Sequence, residues 1–222
     1  MPNAASSKAS RLGALAGPAF AVLFVLSVVV SSPPANNASD ATWTANYSGH
    51  GHQIQHVATG LLLVLAGLCL MTFLTTLWRR IADRRTEPTS PLALVAAGAA
   101  SACISAGGVL MATVSASELT GSYSLPGADV LRLTNDVGFG LVAVGGMWAT
   151  ALAVAVLSAQ GKTADVIGPR MATFGWVVAV LLVFSLLFLP IIALLIWALV
   201  VGVSVFRERN TAEPPVADRI EV

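Results

Sequence analysis

The three histidines of the chain, His50, His52 and His56, fall within seven residues. His52 and His56 are four residues apart, so on a helix they lie on one face. Two imidazoles at that spacing can hold a zinc ion, with a third ligand from elsewhere. The alternative is that they are polar groups at the mouth of a membrane helix. We favour the alternative for His50 and His52 and predict no metal or other cofactor.

His56 differs from the other two histidines because it leads into an apolar segment that carries Gly60 and Gly67 on the same face. Glycines in a membrane helix mark the places where a second helix comes close. His56 is therefore predicted to point into a helix bundle. Histidine titrates near neutral pH, so an inward-facing imidazole is also a candidate ligand- or proton-responsive group.

A second set with the same spacing, Arg132, Asp136 and Gly140, lies in a later apolar segment. Trp78 and Gln160 mark the far ends of the two apolar segments. At the usual helical rise, His56 lies about 33 Å from Trp78, and Asp136 lies about 36 Å from Gln160. The two side chains are thus at similar heights. These matched positions predict a His56–Asp136 pair, with Arg132 or Asn135 beside it.

Small residues at repeated spacings of about four predict further close helix contacts. The candidates are Gly13, Gly17, Gly60, Gly67, Gly98, Ala102, Ala106 and Gly140. For Gly13 and Gly17 the alternative is an incidental pair in an alanine-rich helix.

The elements that carry these residues are membrane helices. The 222 residues are 56% hydrophobic and 10% charged, with a mean hydropathy of +0.80, whereas soluble domains are about 25% charged. Several apolar runs are long enough to span a bilayer, and the alternating pattern of a β-barrel is missing. The fold class is predicted to be all-α, a polytopic transmembrane helix bundle. A net charge of +1 argues against nucleic acid as a partner.

Six spans are predicted, with five as the alternative. Their ranges are 12–31, 54–78, 92–115, 130–159, 171–189 and 191–206. The last apolar run, Met171–Phe206, would extend about 54 Å as one helix, too long for one crossing. A break near Leu189 and Pro190 is therefore predicted.

Charge placement favours six spans with both termini in the cytoplasm. That topology puts eleven of the twelve lysines and arginines inside, whereas five spans put eight inside and four outside; membrane proteins concentrate basic residues inside. Residues 1–11 are then a cytoplasmic N-terminus and 207–222 a disordered cytoplasmic tail. The first span resembles a signal peptide, but its length favours a retained helix. Two lysines against ten arginines, with abundant small residues, are typical of bacterial coding and predict the inner membrane.

The ending Phe188-Leu189-Pro190, followed by Leu194-Leu195-Ile196-Trp197 and basic residues, resembles small uncharacterised six-helix integral membrane proteins of bacteria. Tyr47 and His56 ahead of the second span are part of the same resemblance. It implies a six-helix fold and a membrane location, and it implies no established activity.

Function is therefore predicted only by class. The chain has no GxSxG, P-loop or HExxH motif, which argues against the enzyme classes that these motifs mark. It has no charged residue in the middle third of a span, which argues against a carboxylate-relay transporter. The favoured hypothesis is a non-enzymatic helix bundle that acts through membrane lipid, a protein partner or a second copy. The alternatives are a small transporter or sensor that uses the His56/Asp136 cluster, and a metal-dependent membrane enzyme.

Overall fold

The computed structural model of the chain describes residues 4–121 and 124–212, and all regular structure in these residues is helical. The predicted all-α fold is confirmed. The α-helices are, in chain order, α1 Ala4–Val30, α2 Asp40–Ser48, α3 His50–Arg84, α4 Leu92–Leu119, α5 Ala128–Gly140, α6 Met147–Thr163, α7 Pro169–Leu182 and α8 Leu189–Ala212. A π-helical segment, Leu141–Gly146, joins α5 to α6, and a 3-10 turn, Ser185–Leu187, lies between α7 and α8.

Five helices are long and apolar enough to cross a membrane: α1, α3, α4, α8 and the continuous helix of α5, the π segment and α6. Helix α7 is shorter, with 14 residues and a length of about 21 Å. Large hydrophobic side chains such as Leu61, Val95 and Val180 are exposed on the outside of these helices. Lipid is the solvent that suits such a surface. The chain is therefore a multi-pass helical membrane protein.

The two ends of the bundle differ in chemistry. The basic end carries Arg79, Arg80, Arg84, Arg85, Lys162 and Arg170, and the histidine end carries the three histidines.

The start and the end of the described chain both lie at the basic end. Gly13 of α1 lies against Thr76, near the basic end of α3. The Arg80 guanidinium donates a hydrogen bond of 3.0 Å to the carbonyl oxygen of Val205, close to the end of α8. The chain direction alternates through α1, α3, α4, the α5–α6 helix, α7 and α8, while α2 lies across the histidine end.

Helix α4 is held between α3 and α5 by direct contact of the backbones. A Cβ atom on Gly60 of α3 would lie 2.5 Å from the carbonyl oxygen of Gly108. A Cβ atom on the neighbouring Gly107 would lie 2.5 Å from the carbonyl oxygen of Gly138 in α5. Real Cβ atoms do not approach other atoms so closely, so these contacts require glycine. They set the separation of the three helices that carry the candidate site.

Three other glycines predicted to pack also lie at close contacts. A Cβ atom would meet Thr76 at Gly13, the Ala198 carbonyl oxygen at 2.7 Å from Gly17, and the Ser105 hydroxyl at 2.7 Å from Gly67. The remaining predicted residues lie elsewhere: Gly98 and Gly140 have open space beside them, and Ala102 and Ala106 are exposed. Helix α4 has small residues on every side, so their spacing did not identify its buried face.

The turn between α7 and α8 is fixed against the π segment. The Ser185 hydroxyl donates a hydrogen bond to the carbonyl oxygen of Ala143. The Trp148 indole donates one of 3.2 Å to the carbonyl oxygen of Val183. Backbone groups in an apolar environment need such partners, and a π segment and an apolar turn both disturb the regular helical ladder. The turn therefore satisfies a carbonyl group of the π segment, and Trp148 at the start of α6 satisfies a carbonyl group of the turn.

The break in the last apolar run differs from the prediction. Helix α7 ends at Leu182 and α8 begins at Leu189, so the turn lies before Pro190 rather than at it. Proline is favoured in the first turn of a helix, where its missing N–H has no helical partner to lose. Pro190 therefore marks the start of α8.

The predicted terminal segments lie partly outside the described residues. Helix α1 already begins at Ala4, and α8 continues to Ala212. Residues 1–3 of the predicted N-terminal segment and 213–222 of the predicted tail are outside the described ranges.

Candidate functional site

Helix α2 forms a cap over the histidine end, although it lies between the first two predicted spans, where no helix was predicted. Ser39 caps its N-terminus by accepting a 3.2 Å hydrogen bond from the backbone N–H of Thr42, which is the usual role of serine at this position. Trp43 and Tyr47 lie four residues apart and face the bundle. The Trp43 side chain is 0% exposed, and its ring stacks on that of Tyr47. These aromatic side chains attach the cap to α5, where they pack with Leu131.

Arg132 of α5 holds the cap in place through polar contacts at the start of α2. Its guanidinium lies 2.7 Å from a carboxylate oxygen of Asp40 and 3.3 Å from one of Asp129. It also donates a 2.8 Å hydrogen bond to the carbonyl oxygen of Ala38 and lies over the Trp43 ring, 5.7 Å from its centroid. The two carboxylates are largely exposed, so each ion pair adds little stability. Together the contacts hold the start of α2 against α5.

His56 is buried beneath the cap. Its Nδ1 atom shares a hydrogen bond of 2.8 Å with the hydroxyl of Ser115 in α4, and its ring lies 4.3 Å from that of Tyr47. Its Nε2 atom is also buried and has no hydrogen-bond partner among the described residues. His56 thus joins α2, α3 and α4 at a single point.

The predicted direct pair between His56 and Asp136 is not formed. Ser115 shares a hydrogen bond with one ring nitrogen of His56, and no residue in the described ranges bonds to the other. Asp136 is exposed on the outer side of α5, while the neighbouring Asn135 is buried. Arg132 pairs with Asp40 and Asp129 rather than with Asp136. The matched heights of the two helices were compatible with a pair, but the rotation of α5 turns Asp136 away.

The charge of Asp136 acts on Tyr47 instead. Burial, reinforced by the Asp136 carboxylate, raises the pKa of Tyr47 from 10.0 to about 12. The pKa of the folded state is thus higher than that of the unfolded chain. The neutral phenol therefore contributes stability in full below pH 10, and this contribution is lost between pH 10 and about 12.

An ultraviolet absorbance titration of the tyrosines can measure this shift. We expect a tyrosinate step with a midpoint near pH 12 that is absent from Tyr47→Phe, because the chain has only one other tyrosine, Tyr123. In Asp136→Asn the step should move to lower pH, since a negative charge that disfavours tyrosinate is removed. An unchanged midpoint in Asp136→Asn would rule out the contribution of that carboxylate.

His50 and His52 are exposed at the start of α3. The His52 ring donates a 3.1 Å hydrogen bond to the side-chain oxygen of Gln55, which also accepts one of 2.7 Å from Ser32. These contacts join the end of α1 to the start of α3. In residues 4–121 and 124–212, no group of three or more His, Cys, Asp or Glu side chains is arranged to hold a metal ion.

A cavity of about 270 Å³ lies among the helices. Its walls come from α1, α3, α4, α5, the π segment and the start of α8, and most are apolar. Val28 and Phe188, which line it, are 45% and 42% exposed, so the cavity reaches the apolar surface between α1 and the α7–α8 turn. The cavity is thus open to the lipid on this side, and Ser31 and the exposed Pro33 of the segment after α1 also line it.

The inner wall of the cavity carries three buried polar side chains, Ser27, Thr59 and Asn135. The Ser27 hydroxyl donates a 2.7 Å hydrogen bond to the carbonyl oxygen of Phe24. The Thr59 side chain is 3% exposed, and its hydroxyl has no hydrogen-bond partner among the described residues. The cavity therefore combines an apolar opening with a polar inner wall, as small-molecule sites commonly do.

The Phe188 backbone at the cavity mouth is strained. Its φ is 62°, in the left-handed region that a large side chain rarely adopts. Its ring stacks on that of Phe139, with centroids 6.0 Å apart, and both rings line the cavity. Such conformations persist where the surrounding structure holds them, often at binding sites.

Sequence reasoning missed Ser115, Thr59 and the cavity itself. Thr59 is three residues after His56, so it shares the inward face of α3, and this spacing was the only available signal. The π segment has no sequence signature, although such segments often occur at functional sites.

Comparisons with known protein families, with curated proteins and with solved structures find no match to this chain.

Proposed function

We propose that the protein is a non-enzymatic membrane protein that binds a lipid or another apolar small molecule in the cavity beside α1. The observation that carries this proposal is the side opening of the cavity between α1 and the α7–α8 turn, at exposed Val28 and Phe188. An apolar molecule can enter there from the bilayer without passing through water. The volume of about 270 Å³ is close to the lower limit for small-molecule pockets.

The proposal includes a location in the bacterial inner membrane with both termini in the cytoplasm. It is supported by the basic end, where the start of α1 and the end of α8 meet, because basic residues concentrate on the cytoplasmic side. A single cysteine added after Val222 should react with an impermeant thiol reagent only after the cells are opened. Labelling of intact cells would contradict this orientation.

The direct test of binding is to fill the cavity. Val142 of the π segment is buried and lines the cavity, whereas Val137 on the same helix is exposed and does not line it. Val142→Phe should greatly reduce the lipid that co-purifies with the protein in mild detergent, because the larger ring occupies the binding volume. Native mass spectrometry of the purified protein measures the retained lipid.

Val137→Phe is the matched control, since it adds the same ring to the lipid-facing surface. It should retain lipid as the unmodified protein does. Equal retention by both variants, with both folded, would contradict binding in this cavity.

A further inference from the structure

Thr59 differs from other threonines in the membrane helices. Several of these donate their hydroxyl hydrogen to the backbone carbonyl four residues earlier, with distances of 2.6–2.8 Å for Thr72, Thr76 and Thr113. The Thr59 hydroxyl makes no such bond, although its side chain is 3% exposed. A buried polar group without a partner is unfavourable, because it has lost its hydrogen bonds to water. Its position on the cavity wall makes a bound molecule the natural partner.

The cavity does not suit a charged group. No charged side chain of the described residues lines it. Arg132, a cation on α5, is already engaged with Asp40, Asp129 and the Ala38 carbonyl. Burying an ion without a partner of opposite charge is strongly unfavourable, because the ion loses its hydration. A phosphate or carboxylate would have to leave water without that compensation.

The volume restricts the part of the ligand that can enter. At about 270 Å³ the cavity is slightly smaller than most small-molecule pockets, so it holds one slender chain more readily than two acyl chains side by side. The rest of a longer molecule would extend through the opening at Val28 and Phe188 into the lipid.

On these grounds, and resting on the proposed function, we infer that the cavity selects a single apolar chain that ends in an uncharged oxygen, a hydroxyl or a carbonyl. That oxygen meets the hydroxyl of Thr59, with the Asn135 side chain on the same wall. The polar end enters first, because Thr59 is buried and the opening is apolar.

The experiment compares probes that differ only in the end group. Native mass spectrometry titrations of the full chain in detergent would use 1-decanol, decanoate and decane at neutral pH, where decanoate is ionised. We expect 1-decanol to bind more than about tenfold more tightly than decanoate, in line with the cost of an unpaired buried charge. Decanoate binding as tightly as 1-decanol would overturn the inference.

Thr59→Val tests the proposed contact. It should weaken 1-decanol about five- to tenfold, as the loss of one buried hydrogen bond predicts, and leave decane unchanged. Thr113→Val is the control, because the Thr113 hydroxyl is bonded to Val109 and does not line the cavity. Weakening of decane and 1-decanol by the same factor in Thr59→Val would mean that the side chain only shapes the wall, and would also overturn the inference.

Two natural sources can supply this end group, and monooleoylglycerol and farnesol distinguish a neutral single-chain glycerolipid from an isoprenoid alcohol. Tighter binding of either probe that depends on Thr59 supports the inference and identifies the source. If probes bind without regard to charge or to Thr59, only this inference fails. If no probe binds and Val142→Phe retains lipid normally, the proposed function fails as well.

Discussion

Gly60→Ala is expected to destabilise the bundle by about 3 kcal/mol, at the upper end of the usual cost of overpacking. The new Cβ atom would lie 2.5 Å from both the carbonyl oxygen of Gly108 and the Cβ atom of Ala112. Neither atom belongs to a flexible side chain, so α3 and α4 must separate to accept the methyl group. The loss would appear as a lower midpoint of thermal unfolding in detergent, followed by the circular dichroism of the helices.

Gly98→Ala on α4 is the matched control. Nothing lies within 4 Å of the position that its Cβ atom would take, and alanine is a better helix former than glycine by about 1 kcal/mol. This variant should be as stable as the unmodified protein or slightly more stable. Similar losses in Gly60→Ala and Gly98→Ala would contradict a specific contact at Gly60, and would indicate a general sensitivity of the glycines.

Trp43→Ala is expected to release the cap from the histidine end, at a cost of about 3–5 kcal/mol for the truncation of a buried tryptophan. Trp43 provides the ring that stacks on Tyr47 and lies beneath the Arg132 guanidinium. Without it the ion pairs of Arg132 remain, but exposed pairs of this kind contribute little. Hydrogen exchange of the backbone amides in α2 should become much faster, while α3 and α4 near Gly60 remain protected.

Trp176→Ala separates this effect from a general loss of aromatic surface. Trp176 is exposed on α7, so its truncation should leave exchange in α2 unchanged. Protection of α2 that survives in Trp43→Ala would show that the cap is held by contacts other than this aromatic pair.

The membrane helices could be predicted because the physical requirement is simple. A span needs about 20 apolar residues, and the chain contains such runs between polar or basic segments. The division of Met171–Phe206 followed from length alone. The position of its turn did not follow, because residues 183–188 are nearly all apolar. The turn is held by hydrogen bonds from the side chains of Ser185 and Trp148 to backbone carbonyl oxygens.

The cap was missed because a short helix with two inward aromatic residues resembles a polar loop with interfacial side chains. Ser39 followed by Asp40 was a helix-start signal. Trp43 and Tyr47, four residues apart, were the matching buried face. The stability of this helix comes from its contacts with α5, and a sequence does not display contacts between distant segments.

The sequence predicted the direction in which His56 points, but not the residue with which it forms a hydrogen bond. The glycine face of α3 predicted that His56 points inward, and His56 is buried. Its partner, Ser115, is a small neutral residue without a motif. The height of Asp136 could be calculated from helical rise, but its rotation about the axis of α5 could not.

That rotation determines which residues of α5 line the cavity. Within the π segment Leu141–Gly146 the hydrogen bonds run to the fifth residue rather than the fourth, so one turn holds an additional residue. Each residue advances an α-helix by about 100°, and α5 is therefore out of phase with α6 by roughly that angle. The shift presents Asn135 and Gly138 inward and Asp136 outward. A single insertion or deletion in this turn would rotate α5 and exchange the residues that it contributes to the cavity wall, Asn135 and Phe139. The length of one turn therefore helps to determine the chemistry of that wall.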